Sequence, residues 1–249
     1  MAQIPKVIHY CWFGGNPLPN LAIKCIESWK RFFPDYEIIE WNESNFDITI
    51  NKYVHDAYLN KKYAFVSDYA RFWILFHYGG IYFDTDVEVI RDFSPILSAG
   101  GFMGVEDHSY SKIAPGLGVG AYPKNPLIND IMHLYDNLEF VYQDGSLNLK
   151  TVVSYTTEEF EKYGFKSGIN EPMQVIAGFF IYKMDFFCPL DYNTNELNIT
   201  SNTFSIHHYL ASWHSNKQKI VHYACLIFNK RLIDIAVNIK SNFINILKR

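Results

Sequence analysis

The chain has 249 residues, 49% of them apolar and 17% aromatic, which is enough to bury one enzyme-sized core with at most a small appendage. A formal charge of −4 and a pI near 6.1 give no global electrostatic case for nucleic acid as a partner. Cys11, Cys25, Cys188 and Cys225 are scattered without a CxxC pair, so reduced structural thiols are expected and a disulfide scaffold is not.

In chain order, residues 7–12 form a short apolar run closed by Gly14-Gly15, and Pro17 and Pro19 delay regular structure until Leu21. Ile23, Ile26, Trp29 and Phe33 then fall at helical spacing, and residues 36–41 read as a second strand. A β-α-β unit and a parallel sheet follow from that order. Residues 53–78 keep a helical pattern up to Gly79-Gly80. Ile81-Tyr82-Phe83 is a short buried strand running into Asp84-Thr85-Asp86, which puts two carboxylates at the sheet edge where open α/β folds bind ligands. Residues 87–90 read as a strand and the glycine-rich stretch 100–120 as strands and turns. A helix is expected from Asn125-Pro126 through Tyr142, and a helix and a strand within 151–181.

From Lys217 onward seven basic residues face Asp234 alone, and Ile227, Leu232, Ile235, Ala236, Ile239, Phe243 and Ile246 lie at helical spacing. Residues 1–225 are thus expected to form the main domain, and 226–249 a basic amphipathic helix. That helix either rests on an anionic membrane surface or docks on the core. Residues 1–6 lack the pattern of a secretory leader, and no run approaches the roughly 18 apolar residues of a membrane span. Cytoplasmic placement is therefore expected, with peripheral contact at the inner face of the membrane through the tail.

Paired carboxylates at i and i+2 of an extended segment face one side and supply ligands for a hard divalent ion, the Lewis acid suited to a diphosphate leaving group. A lone DxD triplet is weak, but here Asp68 and Arg71 lie upstream at i, i+3 on one helix face, either a surface ion pair or a polar sugar-binding pair. His207, His208 and Trp213 cluster near the end. A Rossmann fingerprint is absent, since Gly14-Gly15-Asn16-Pro17 follows the first strand. Gly116-Leu117-Gly118-Val119-Gly120 is read as letting backbone approach a donor or acceptor.

Residues 4–10 with Trp12-Phe13-Gly14, then 64–71, then 79–87, and finally His207-His208 with Ser212-Trp213 resemble glycosyltransferase family 32, the DXD sugar-binding enzymes related to the large clostridial glucosylating toxins. The resemblance implies a single-domain GT-A type α/β nucleotide-binding sandwich with a mostly parallel central sheet. It implies a retaining transfer of a hexose, galactose or glucose, from a UDP-sugar, dependent on Mn²⁺ or Mg²⁺. The acceptor would be a lipid-linked glycan, a surface polysaccharide or a glycolipid.

By the same resemblance, Ile8, His9, Tyr10 and Trp12 contact the uracil and ribose, Trp12 being equally suited to stack on the base or to fill the core. Asp68 and Arg71 hold the hexose hydroxyls, and Trp213 lies near the diphosphate. Asp84 faces ribose or sugar hydroxyls and metal-bound water, and Asp86 ligates the cation. Of the histidines, which point to opposite sides of a strand, His207 is the favoured ligand and His208 the alternative. Glu106, Asp107 and Glu171 are loop carboxylates available as a nucleophile, against a same-face mechanism that needs none. The competing readings are a metal-dependent nucleotide-sugar hydrolase and a non-enzymatic carbohydrate- or membrane-binding module.

Overall fold

The computed structural model describes residues 3–169, 173–192 and 194–210. The chain divides into two units, Met1–Pro189 with Asn198–Leu210, and Leu190–Leu197 with Ala211–Arg249. Every described strand and helix belongs to the first. In the second, the described residues make a turn closed by an antiparallel bridge from Leu190 to Leu197. The expected boundary at 225/226 and the basic tail lie outside the described residues.

The chain opens with β1 (Val7–Cys11), α1 (Asn20–Phe32) and β2 (Glu37–Trp41), the β-α-β unit its pattern requires, with β1 and β2 parallel from Val7↔Glu37 to Cys11↔Trp41. Helix α1 buries Ala22, Cys25, Ile26 and Trp29, and Lys30 and Arg31 occupy its last turn, where cations complement the helix dipole. The helical pattern over 53–78 is two helices, α2 (Lys52–Leu59) and α3 (Tyr63–Tyr78). They part at Asn60-Lys61-Lys62, where Lys61 turns left-handed at φ 56° and the Lys62 N–H closes onto the Ala57 carbonyl. Periodicity could not reveal that break, because the apolar spacing runs through it.

Helix α3 is buried on most sides, Arg71 and Asp68 included. Gly79 (φ 63°) and Gly80 (φ 94°) then turn the chain into β3 (Gly80–Tyr82). A Cβ at Gly79 would stand 2.6 Å from Pro123 Cδ, and one at Gly80 2.7 Å from the Val7 carbonyl, so only glycine makes this corner.

The chain continues through β4 (Val87–Val89), α4 (Ser94–Ala99), β5 (Gly101–Gly104), β6 (Val119–Ala121), α5 (Pro126–Leu134), α6 (Val152–Lys162), β7 (Met173–Ile176), β8 (Phe179–Tyr182), α7 (Met184–Phe187) and β9 (Ser205–His207). The helix expected through Tyr142 ends at Leu134. A 3-10 turn over Tyr135–Asn137 redirects the chain so that Phe140 drops into the core against Tyr53 and Phe65.

The seven-stranded sheet runs β2-β1-β3-β6-β5-β8-β7. Its pairs β1·β2, β1·β3 and β5·β8 are parallel and β3·β6, β5·β6 and β7·β8 antiparallel, so only β6 and β7 run against the other five strands. Aromatic rings fill the interior: Phe93 alone lies within 6 Å, ring centre to ring centre, of Phe33, Phe83, Phe102, Phe187 and Phe204. Much of the 17% aromatic content is thus core packing. Among the described residues no helix is long and apolar enough to cross a membrane.

Candidate active site

Strands β1 and β3 are parallel, so their C-terminal ends share one edge, and the Phe83 N–H donates to the His9 carbonyl at 3.1 Å. The chain then leaves the sheet. The Asp84 N–H donates to the Gly116 carbonyl (3.2 Å) and the Val87 N–H to the Asp84 carbonyl (3.1 Å). The triplet is therefore a turn and not an extended segment, and its two carboxylates converge because the backbone folds back. That corrects the expected geometry while keeping its consequence.

The third member arrives from the far end of the described chain. Strand β4 pairs with β9 in a separate two-stranded sheet, antiparallel, with Val87 opposite His207. One ligand atom from each of Asp84, Asp86 and His207 lies within 4.8 Å of the others, and His207 Nε2 is 3.2 Å from Asp86 Oδ1. The backbone after β9 clamps Asp86: the His208 N–H donates to its carbonyl (3.0 Å) and the Leu210 N–H to Oδ2 (2.7 Å). His208 points the other way, its Nε2 2.8 Å from Glu88 Oε2. It stands outside the cluster, which corrects its assignment as an alternative ligand. The cause is strand alternation.

Burial opposes the charge on Asp86, yet His207 and the hydrogen bonds to its carboxylate hold its pKa at about 2. Burial likewise opposes the charge on His207, and the Asp86 carboxylate overrides it and drives the imidazole pKa well above the usual value. The two form a charged pair when no cation intervenes. Asp84 is the more open acid, its side chain 30% exposed. Burial of the rest pushes its pKa upward against the pull of Arg71.

Arg71 is the hub beneath the cluster. Its Nη2 is 2.8 Å from Asp68 Oδ1 and 3.3 Å from Asp84 Oδ1, its Nε donates to the Ser67 carbonyl, and it lies 4.9 Å from the centre of the Tyr82 ring. The Arg71 and Asp68 side chains are 4% and 12% exposed, so this is a buried pair and not a surface one. Burial raises the Asp68 carboxyl to about 7 against the attraction of Arg71.

One contributor escaped the sequence reading, and a second was read there in another role. The Tyr82 hydroxyl donates to Asp84 Oδ1 at 3.0 Å. Its position two residues before Asp84 was the available signal, but a tyrosine in a buried strand reads as core. Gly116 is the other: a Cβ there would stand 2.3 Å from Asp84 Oδ2. The glycines at 116, 118 and 120 make room for Asp84, Phe83 and Phe102 respectively, which corrects the idea that they open backbone toward a ligand.

The expected base-contacting residues are less uniform. Ile8 and His9 are fully buried, and His9 accepts from Trp41 Nε1 at Nδ1 (3.1 Å) while its Nε2 bonds the Gly79 carbonyl (3.0 Å). Their side chains serve the core, so any contact of theirs with a donor would run through the backbone. Tyr10 is buried and donates to Glu40 Oε2. Trp12 is partly buried and spends its indole N–H on the Asn16 carbonyl, in the loop at the same sheet edge as Asp84.

Of the loop carboxylates, Glu106 lies close enough to feel the His207 charge. Asp107 is consumed in holding its loop, accepting from the Ser111 and Lys112 N–H groups. Glu171 and Trp213 lie outside the described residues.

Two carboxylates and one imidazole, convergent and mostly buried, are a donor set that fits Mn²⁺ or Mg²⁺.

In fold the chain is a GT-A type α/β protein. The solved PaToxG glycosyltransferase superposes with a TM-score of 0.51 at 21% identity, over 64% of this chain and 69% of that one. Residues 19–102, which hold α1, α3 and the Asp84–Asp86 turn, match the family described as a glycosyltransferase sugar-binding region containing a DXD motif.

The chain is 30% identical over 144 residues to inositol phosphoceramide mannosyltransferase 1 of Schizosaccharomyces pombe, a match covering 53% of this chain and 43% of that protein. It is 32% identical over 104 residues to mannosyl phosphorylinositol ceramide synthase CSH1 of Saccharomyces cerevisiae, covering 40% and 27%. The matches span less than half the length of these curated relatives.

Proposed function

We propose that the chain is a retaining glycosyltransferase that moves a hexose from a nucleotide-diphosphate sugar to a glycolipid, lipid-linked glycan or surface polysaccharide. The observation that carries the reading is the convergence of Asp84, Asp86 and His207 at the sheet edge, inside a matched DXD sugar-binding region. Asp86 and His207 would hold the cation most directly, with Asp84 completing the set. Once bound, Mn²⁺ or Mg²⁺ supplies positive charge to the leaving diphosphate.

The remaining work falls to the chain itself. Arg71, fixed between Asp68 and Asp84, orients the Asp84 carboxylate and lends the site positive charge. Asp68, with one oxygen committed to Arg71, offers the other to a hexose hydroxyl. Trp12 offers a ring face at the same edge for the base. A same-face transfer, in which the departing phosphate accepts the proton of the acceptor hydroxyl, needs no protein nucleophile.

The donor follows from two sources that differ. The resemblance favours UDP-glucose or UDP-galactose, whereas the names of the curated relatives favour a mannosyl donor and a phosphoinositol-ceramide type of acceptor. Peripheral attachment to an anionic inner membrane surface through the basic tail would suit such acceptors.

The experiment is a calorimetric titration of UDP and GDP into metal-free protein, with and without Mn²⁺, on the native chain and on Asp86→Ala. Radiolabelled UDP-hexoses and GDP-mannose are then incubated with glycolipid acceptors. Cation-dependent binding lost in Asp86→Ala, followed by label in the lipid phase, supports transfer. Free hexose released without an acceptor product points to the hydrolase, and no cation-dependent nucleotide binding refutes the reading.

A further inference from the structure

Strand β4 has a single strand partner. Its pairing with β9 is three residues long, from Val87↔His207 to Val89↔Ser205, and a two-stranded ladder of that length does not hold its register unaided. That register brings His207 to Asp86, the residue just before β4.

The other edge of β4 faces α1, which takes the place of a second strand. On the β9 side the Asp86 carbonyl accepts from the His208 N–H and the Ile90 N–H donates to the Phe204 carbonyl, so Val87 and Val89 turn their backbone groups the other way. There the Trp29 indole N–H donates to the Val87 carbonyl at 2.7 Å. The Ser28 hydroxyl accepts from the Val89 N–H at 2.9 Å and gives its own proton to the Cys25 carbonyl at 2.6 Å.

Trp29 is fully buried, and its ring lies 5.6 Å, centre to centre, from that of Phe83 and 5.7 Å from that of Tyr10. Phe83 and Val87 are the residues on either side of Asp84-Thr85-Asp86. One indole therefore holds both legs of the turn, the incoming leg by ring packing and the outgoing leg through its N–H.

We infer that Trp29, seconded by Ser28, is a positioning residue that fixes the two legs of the Asp84–Asp86 turn and the register of β4 on β9, and so sets the affinity of the Asp84–Asp86–His207 cluster for a divalent cation. The inference rests on the cation reading of that cluster and adds the residues that hold its backbone. Neither side chain supplies a ligand; each acts through the main chain of β4. Without the indole N–H the Val87 carbonyl is a buried acceptor with no partner, and the strand shifts to find it one.

The test is Mn²⁺ affinity of the full chain, read as loss of the free-ion electron paramagnetic resonance signal, alongside urea stability. The proteins are native, Trp29→Phe, Ser28→Ala, Ser28→Thr, and a chain carrying benzothienylalanine at position 29, which keeps the two fused rings and has sulfur in place of the N–H. Val54→Ala, at a fully buried position on α2, controls for loss of stability alone.

Groups that hold metal ligands in place from behind are typically worth about ten- to a hundredfold in affinity, so Trp29→Phe and the sulfur isostere are each expected to bind Mn²⁺ at least about tenfold more weakly. Ser28→Ala falls between them and native. Ser28→Thr keeps the hydroxyl, its methyl has room in the open groove of about 390 Å³ that Ser28 borders, and it recovers the Ser28→Ala loss. Val54→Ala loses stability and keeps its Mn²⁺ affinity within about twofold, as a site outside the network should. The isostere decides the matter if Trp29→Phe does not fold.

Native protein that binds Mn²⁺ while the isostere matches it within about twofold, or while Val54→Ala weakens binding as much as the isostere does, overturns the inference and leaves the cation reading standing. Native protein that binds no divalent cation removes both.

Discussion

Gly116→Ala isolates the geometry of the Asp84 carboxylate from everything else in the fold. The backbone at 116 lies outside the left-handed region, so alanine meets no conformational penalty there. What it meets is Asp84 Oδ2 at 2.3 Å, where ordinary contact begins at 3.4 Å, so the carboxylate must give by about 1.1 Å. Arg71 Nη1, 3.6 Å from the new methyl, and the Tyr82 hydroxyl on Oδ1 limit where it can go.

Displacing a positioned group by about 1 Å costs on the order of a hundredfold in turnover, whereas overpacking by one methyl costs about 1–3 kcal/mol of stability. Gly116→Ala is expected to stay folded, to weaken Mn²⁺ binding, and to lose roughly two orders of magnitude in hexose transfer. The assay pairs urea unfolding with Mn²⁺ titration and initial rates, on Gly116→Ala, Asp84→Ala and the double variant. In the Asp84→Ala background the clash is gone, so the second substitution should cost almost nothing further. Equal losses in both backgrounds would mean that Gly116 acts elsewhere and would refute the argument.

Other substitutions separate neighbouring roles. His207→Ala is expected to weaken Mn²⁺ binding at least about tenfold, whereas His208→Ala, paired with Glu88 instead, should leave it within about twofold by the same titration. Arg71→Met strands the buried Asp68 carboxylate and should destabilise the fold by about 3 kcal/mol or more. The loss should be larger at pH 8 than at pH 5, because the carboxyl, already raised to about 7, escapes by taking a proton; equal losses in urea melts at the two pH values would contradict this. For His9, burial lowers the pKa from 6.5 to about 4, so the stability of its neutral form is fully present above pH 6.5 and is lost as pH falls toward 4. That amounts to about 3 kcal/mol, and it should vanish from the pH dependence of urea unfolding in His9→Asn.

The sequence by itself determined the local elements and the acid pair. Apolar spacing set α1, the helical residues of α2 and α3, and the strands that flank them, because side-chain period follows directly from backbone geometry. Gly79-Gly80 followed by a three-residue apolar strand suffices to place Asp84 and Asp86 at a sheet edge. The i, i+3 spacing paired Asp68 with Arg71 for the same reason, although it left open whether the pair is exposed.

Whatever depends on partners distant in the chain was decided by tertiary structure. His207 reaches Asp86 only because β4 leaves the main sheet to pair with β9, some 120 residues later, and that same register sends His208 to Glu88. Burial of the Asp68–Arg71 pair, the core role of His9 and the contact between Gly116 and Asp84 likewise join segments whose spacing carries no periodic signal. A local pattern reports which face of an element is apolar. Which other element covers that face, and which polar group lies beneath it, depends on how the whole chain packs.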